Sequence, residues 1–360
     1  MHTTNLRIVS AIAAKDIMDA LRNKTTLFNI LTVFFIMLVY QWIPAVMYRD
    51  ADLVIYDPGG SRLVAVLENN SRYVPHRVTS IAELKREMGE HERGDLGLVI
   101  PADFDRRLAS AASGAGGEPA LGAYVMWSSR SSAADLKADF ERQLAELVGQ
   151  PLRIDIEGTV YPHPDSMGPI RLVAATLVLI VILMGALTVP VLMFEEKRTK
   201  TLDALLVSPA SVGQVVLGKA LAGLFYCLTA VAVVFLFNWA FVTHWGLAVL
   251  AVLCGTLLAV GFGLLLGTFL ERREQMMIWG MLPGQLLLWP VFLSVVDVIL
   301  PETLRTVIYW IPTVALVKAF RYALSDGATW DQIAFHLGIV AISAALVLGL
   351  VVWKVRRSDR

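Results

Sequence analysis

The sequence runs to 360 residues, 56% hydrophobic and only 17% charged, against about 25% charged in a soluble domain. With a mean hydropathy of +0.62, that balance excludes an ordinary soluble globule. Lys plus Arg and Asp plus Glu both count 31, so the net charge is zero and no global field selects nucleic acid or an acidic partner.

Residues 1–24 precede the first apolar run, which starts only near Thr25 and lacks a small-residue cleavage site after it, so a retained signal anchor is expected rather than a cleavable leader. Leu6, Val9, Ala13, Ile17 and Leu21 share one helical face, which predicts an amphipathic helix at the membrane interface; packing on another protein surface is the blander reading. Residues 25–47 form the first expected span, with Tyr40 and Trp42 as interface anchors.

From 48 to 170 the composition is that of a soluble protein. Strands are expected at Leu53–Tyr56, Leu96–Ile100 and Leu121–Trp127, the first ending in the Asp57-Pro58-Gly59-Gly60 turn. Ser80 and Glu83 fit a capping box. Helices are expected from there, from Pro101, and over Ser131–Val148, with a flexible loop at Ser110–Pro119. Alternating strands and helices predict a small α/β domain.

Apolar runs resume at Arg171–Met193, Val212–Val242, Trp245–Leu270, Met276–Leu300 (with Pro283 and Pro290) and Ile333–Trp353. Two short helical pieces around Ile311-Pro312 precede the last of them. The expected fold is therefore a mainly α membrane protein, with six transmembrane helices and an α/β domain inserted between the first and second. Residues 171–360 carry five of the six spans. Lys and Arg near the span ends favour one side: Arg7, Lys15, Arg22, Lys24, Lys197, Arg198, Lys200, Arg272, Arg273, Lys354, Arg356 and Arg357 against Arg49, Arg171, Arg305, Lys318 and Arg321. That asymmetry predicts cytoplasmic termini and an extracytoplasmic α/β domain.

The spans hold almost no ionisable residues, which argues against ion coupling and intramembrane catalysis. Asp297 and His336, near outer span ends, read as interface residues. Cys227 and Cys254 sit in apolar runs and read as buried hydrophobes. His76, His91 and His163 lack metal-ligand spacing. Gly213 to Lys219 has the spacing of a nucleotide-binding loop, but Ala220 replaces its hydroxyl residue, no buried strand precedes it and a span follows. Lys219 is expected to snorkel to the interface. Gly263 with Gly267, and Gly280 with Gly284, permit close helix packing within one chain or across a dimer.

The most informative stretch is 194–211. A charged run, Glu195-Glu196-Lys197-Arg198, leads into an amphipathic helix over Thr201–Val207, stopped by Pro209; such a helix suits a groove on another protein. Here Thr201-Leu202-Asp203-Ala204-Leu205-Leu206-Val207-Ser208-Pro209 resembles the Gly-Thr-Leu-x-x-Leu-Leu-x-x-Pro segment of type-2 ABC exporter permeases, with Lys200 in place of the glycine. Leu98–Phe104 is similar to the Val-Ile-Pro-x-x-Phe pattern of the family's large-ectodomain branch. Trp310-Ile311-Pro312 through Arg321 resembles its segment before the last span.

The resemblance implies a permease subunit of the bacterial inner membrane that moves a substrate outward and is itself no enzyme. It implies a second permease subunit, as homo- or heterodimer, and cytoplasmic ATPase subunits that bind the ATP and magnesium, with no cofactor in this chain. It leaves room for a periplasmic adaptor, besides membrane lipid. Glu195, Glu196, Lys197, Arg198, Thr201, Leu202, Leu205, Leu206 and Pro209 are then the ATPase-coupling residues. Pro312, Lys318 and Arg321 belong to helices over 301–330 that re-enter the membrane from outside, where Lys318 and Arg321 anchor at the interface or neutralise carbonyl ends. The alternative is a receptor or assembly scaffold acting through the extracytoplasmic domain.

Overall fold

The computed structural model describes residues 2–22, 31, 35, 51–70, 72–92, 94–113, 116–190, 211–269, 281–297 and 300–358. The expected first span and the whole of the 194–210 stretch therefore lie outside the described residues, apart from Leu31 and Phe35. Ser211 closes that stretch as the N-cap of the next helix.

Helix α1 (His2–Arg22) is followed by a five-stranded mixed sheet. Its strands are β1 (Ala51–Tyr56), β2 (Tyr73–Val78), β3 (Leu96–Val99), β4 (Ala120–Met126) and β5 (Arg153–Val160), in the order β2-β1-β3-β4-β5. β1 runs parallel to β2 and β3, β3 pairs antiparallel with β4, and β4 is parallel to β5. In β1 the successive residues Leu53, Val54 and Ile55 are all fully buried, as expected of a strand covered on both faces. Helices α2 (Arg62–Glu68), α4 (Phe104–Ala112) and α5 (Ala133–Val148) cover one face through Leu63, Leu67, Phe104, Phe140 and Leu144. Helix α3 (Ile81–His91) covers the other through Leu84 and Met88.

The strand and helix expectations here agree to within one to three residues, and Ser80 caps α3 as expected, accepting from Glu83 N at 3.1 Å. The Glu83 carboxylate reaches back to Thr79 N at 2.7 Å. At the Asp57 turn, a Cβ on Gly59 would stand 2.6 Å from the Ala102 carbonyl oxygen, so only glycine fits. Sequence reading missed α2, β2 and β5. The latter two are the sheet edges; β2 contains Pro75, and β5 pairs with β4 through a register shift. Both features blur a strand pattern.

Beyond the sheet come α6 (Pro169–Leu183), continued by a π turn over Met184–Thr188, then α7 (Val212–Asn238), α8 (Trp245–Phe269), α9 (Met281–Val295), α10 (Glu302–Ile308), α11 (Pro312–Leu324) and α12 (Trp330–Ser358). Among the described residues, four stretches are long and apolar enough to cross a membrane: Pro169–Ala186, Gly213–Phe241, Trp245–Phe269 and Trp330–Arg357. The pair α10 and α11 makes a fifth if its halves count together, but they meet at 93°. The bend follows from local chemistry. Pro312 is the first residue of α11 and Ile311 before it is extended, with ψ 126°, as a residue preceding proline prefers. The described part of the expected fifth span is the shorter α9, with Pro290 inside it.

These helices share one apolar core, to which α6, α7, α8, α11 and α12 all contribute. A Cβ on Gly263 would strike the backbone oxygen of Gly185 in the π turn. The Gly263 end of that small-residue pair therefore packs within the chain. A Cβ on Gly284 would meet nothing within 4 Å.

Candidate functional site: a buried ion cluster and two joints

The chain between β5 and α6 is tied down by its backbone. His163 N donates to Gly89 O at 2.9 Å, Met167 N to Glu90 O at 3.0 Å, and Asp326 N to Pro162 O at 3.0 Å. Gly168 caps α6 and Pro169 opens it, so Arg171 falls in the first turn. Its side chain is 5% exposed and Nη1 lies 2.8 Å from Asp297 Oδ1. The guanidinium also donates to the carbonyls of Ser166 (3.0 Å), Val295 (3.1 Å) and Asp165 (3.2 Å). One side chain thus ties the start of α6 to the end of α9.

Asp297, buried at 3% side-chain exposure, is shared. Its Oδ2 accepts from Tyr309 Oη at 2.9 Å and lies 3.6 Å from both Lys318 Nζ and Arg321 Nη1. Asp165 Oδ1 sits 2.9 Å from Lys318 Nζ and 3.5 Å from Arg321 Nη2. The Lys318 ammonium stands 4.6 Å from the Tyr309 ring centre, a cation–π contact. Buried charges persist only when paired in this way.

The sheet domain adds Glu92, which caps α3 in the left-handed region (φ 50°). Its carboxylate accepts from the Ser166 hydroxyl and, at 3.4 Å from both oxygens, from Ile170 N in the first turn of α6. The residue as a whole is only partly covered. Burial pushes its pKa up to about 7, against the Ser166 and Ile170 hydrogen bonds and the charges of Arg321 and Arg171, which all pull it down. For Asp165, whose side chain is 66% exposed, desolvation works weakly upward, but Lys318, with Arg321 behind it, outweighs that and holds the carboxyl below its ordinary range.

Three cations (Arg171, Lys318, Arg321) thus face three carboxyl groups (Glu92, Asp165, Asp297) drawn from five separate stretches of chain. The geometry can hold elements together and respond to protons. No group of three or more His, Cys, Asp or Glu among the described residues is placed to hold a metal.

Two further joints flank the core. In the first, α1 lies on α7 and buries Val9, Ile12, Ala13 and Asp16. Lys219 Nζ lies 3.3 Å from Asp16 Oδ2 with 1% of its side chain exposed, and Tyr226 Oη donates to Asp16 O at 2.9 Å. A Cβ on Gly218 would stand 2.6 Å from Ile12. In the second joint, Trp127 stacks on Tyr161 at 4.7 Å and donates from Nε1 to Val242 O at 3.3 Å. Arg130 lies over the Trp127 ring and donates to Ala240 O beyond the end of α7.

Several expectations change. Lys219 does not snorkel; it is buried against α1, because Asp16 supplies the counter-charge that makes burial tolerable. The Gly213–Lys219 segment is continuous helix with Ser211 and Gln214 in a capping box, so it offers no phosphate-cradling loop. Asp297 and His336, expected as interface residues, are 2% and 7% exposed, covered where α11 packs on α6, α9 and α12. Lys318 and Arg321 reach carboxylates rather than carbonyl ends or open interface. Pro312 sits at the α10–α11 bend. The coupling residues Glu195, Glu196, Lys197, Arg198, Thr201, Leu202, Leu205, Leu206 and Pro209 lie outside the described residues. Sequence reasoning missed Glu92, Asp165 and Arg171 as site residues. The available signal was opposite charges recurring at the ends of apolar runs.

Four apolar membrane-length helices and a bent pair define a multi-pass membrane protein. A family model described as an ABC-2 family transporter protein matches residues 24–353, so the chain belongs to that family and is a transmembrane permease of an ABC transporter. No curated protein and no solved structure matches it.

Proposed function

We propose that this permease is the membrane half of an exporter driven by separate cytoplasmic ATPase subunits, working with a second permease subunit in the bacterial inner membrane. The observation that carries this reading is the family match over 24–353 on a chain whose only nucleotide-loop spacing lies within a helix. The Lys and Arg asymmetry of the span ends supports cytoplasmic termini. In that orientation the sheet domain faces outward and α10 with α11 enters the membrane from the outer side. The stretch 194–211 then faces the ATPase, and Glu195 through Pro209 pass its closure to α6 and α7.

Co-expression with a candidate ABC ATPase subunit tests the reading. The two copurify, and the reconstituted complex hydrolyses ATP and moves cargo toward the face that bears the sheet domain. A chain that purifies without an ATPase and moves nothing overturns it.

A further inference from the structure

The two aspartates that face the buried cations are held in unlike ways. Asp297 is enclosed, with its side chain 3% exposed, and its oxygens are divided among Arg171, Tyr309, Lys318 and Arg321. Asp165 stands on the connection between β5 and α6 with its side chain 66% exposed, and it meets the cations through one oxygen, Oδ1. Its main chain is fastened separately: the carbonyl accepts from Arg171 at 3.2 Å and the N–H donates to His163 Nδ1 at 3.2 Å. The carboxylate can therefore turn outward about its own side-chain bonds while the connection stays in place.

The cations cannot follow it outward, because the Lys318 side chain is 6% exposed and Arg321 is fully buried. Nor does Asp165 fill their donors. Arg321 Nη2 lies 3.5 Å from Asp165 Oδ1, long for a charge-assisted bond, which runs about 2.7–2.9 Å. Arg321 Nε and Nη1 make no hydrogen bond among the described residues, and Nη1 only stands 3.6 Å from Asp297 Oδ2. Buried donors in this state favour any acceptor that reaches them. With Asp165 turned away, Arg171, Lys318 and Arg321 face Asp297 and Glu92, which leaves one positive charge uncovered.

We propose that Lys318 and Arg321 form a binding site for a singly charged oxyanion, a carboxylate or phosphodiester, and that the Asp165 carboxylate is its built-in stand-in, displaced when the ligand binds. The ligand takes the place that Asp165 gives up and enters from the water-exposed side of that residue. Its two oxygens engage Lys318 Nζ and the guanidinium fork of Arg321 together, a paired geometry that arginine suits. Asp165 lies four residues ahead of the membrane-length stretch Pro169–Ala186, so the site is within reach of a lipid headgroup as well as of a solute.

Thermal unfolding of the full-length chain in detergent micelles at constant ionic strength, with two probes, tests the site. Dimethyl phosphate supplies the phosphodiester free in solution. Phosphatidylglycerol mixed into the micelles supplies it as a headgroup, with diacylglycerol, which lacks the phosphate, as the control. A ligand that binds the folded chain raises the unfolding temperature as its concentration grows. In Asp165→Asn the competing carboxylate is gone, and half the rise should be reached at a probe concentration lower by about tenfold or more than in the wild type. In Lys318→Gln that concentration should be higher by about tenfold or more. A rise with dimethyl phosphate shows that a free oxyanion suffices, and a rise with phosphatidylglycerol alone assigns the site to a lipid headgroup. No rise with either probe in Asp165→Asn overturns the site. So does an unchanged or weakened response there, since a carboxylate that only fastens the connection competes with nothing. Should Asp165→Asn not fold, Lys318→Gln decides: a response of wild-type strength in it overturns the site.

Discussion

The sheet domain and the helical core handle charge in opposite ways. In the sheet domain, apolar residues fill both faces of the sheet and the ion pairs lie outside, as with Arg77–Glu68, whose side chains are 56% and 45% exposed. Across the helices the apolar residues also face outward; Leu286, Trp289 and Phe292 on α9 are 75%, 62% and 52% exposed. There the ions turn inward, as Arg171–Asp297 and Lys219–Asp16 do. In water a surface pair contributes little because solvent and salt screen it. A pair sealed among apolar helices costs much to bury and more to break. Charges in the helical half therefore mark the places where separate segments must stay joined.

The contrast can be broken deliberately. The largest effect is expected for Arg171→Ala, which takes from Asp297 its nearest cation and removes three carbonyl contacts. A loss near 5 kcal/mol, about the upper end for a broken buried pair, should appear as a strongly lowered unfolding temperature in detergent. Lys219→Met should cost on the order of 3 kcal/mol and release α1 to proteolysis. Adding Asp16→Leu to it should recover part of that loss, since the stranded charge is then gone; a double variant no better than the single one would show that the pair is not what joins α1 to α7. Arg77→Ala on the sheet domain should cost below about 1 kcal/mol, and a loss as large as that of Arg171→Ala would erase the contrast.

What could be read in advance follows the same divide. Membrane helices announce themselves because apolar length is itself the physical requirement, so α7, α8 and α12 began within three residues of expectation. β1, β3 and β4 were legible because central strands carry dense apolar runs. β2 and β5 were not, since edge strands mix polar residues, a proline and a register shift. The ion cluster was illegible for a different reason. Glu92, Asp165, Arg171, Asp297, Lys318 and Arg321 come from positions scattered along the chain, and each alone resembles an ordinary end-of-span charge. Lys219 was misread because its partner, Asp16, lies 203 residues away.

Under the proposed function, this permease borrows its energy through the charged stretch ahead of α7. Reconstituting the permease with its ATPase and replacing Glu195 and Glu196 together by Ala tests that directly. ATP hydrolysis should persist while cargo movement per ATP falls by about tenfold or more, a coupling loss of about 1.4 kcal/mol. Undiminished movement per ATP in the double variant would contradict it.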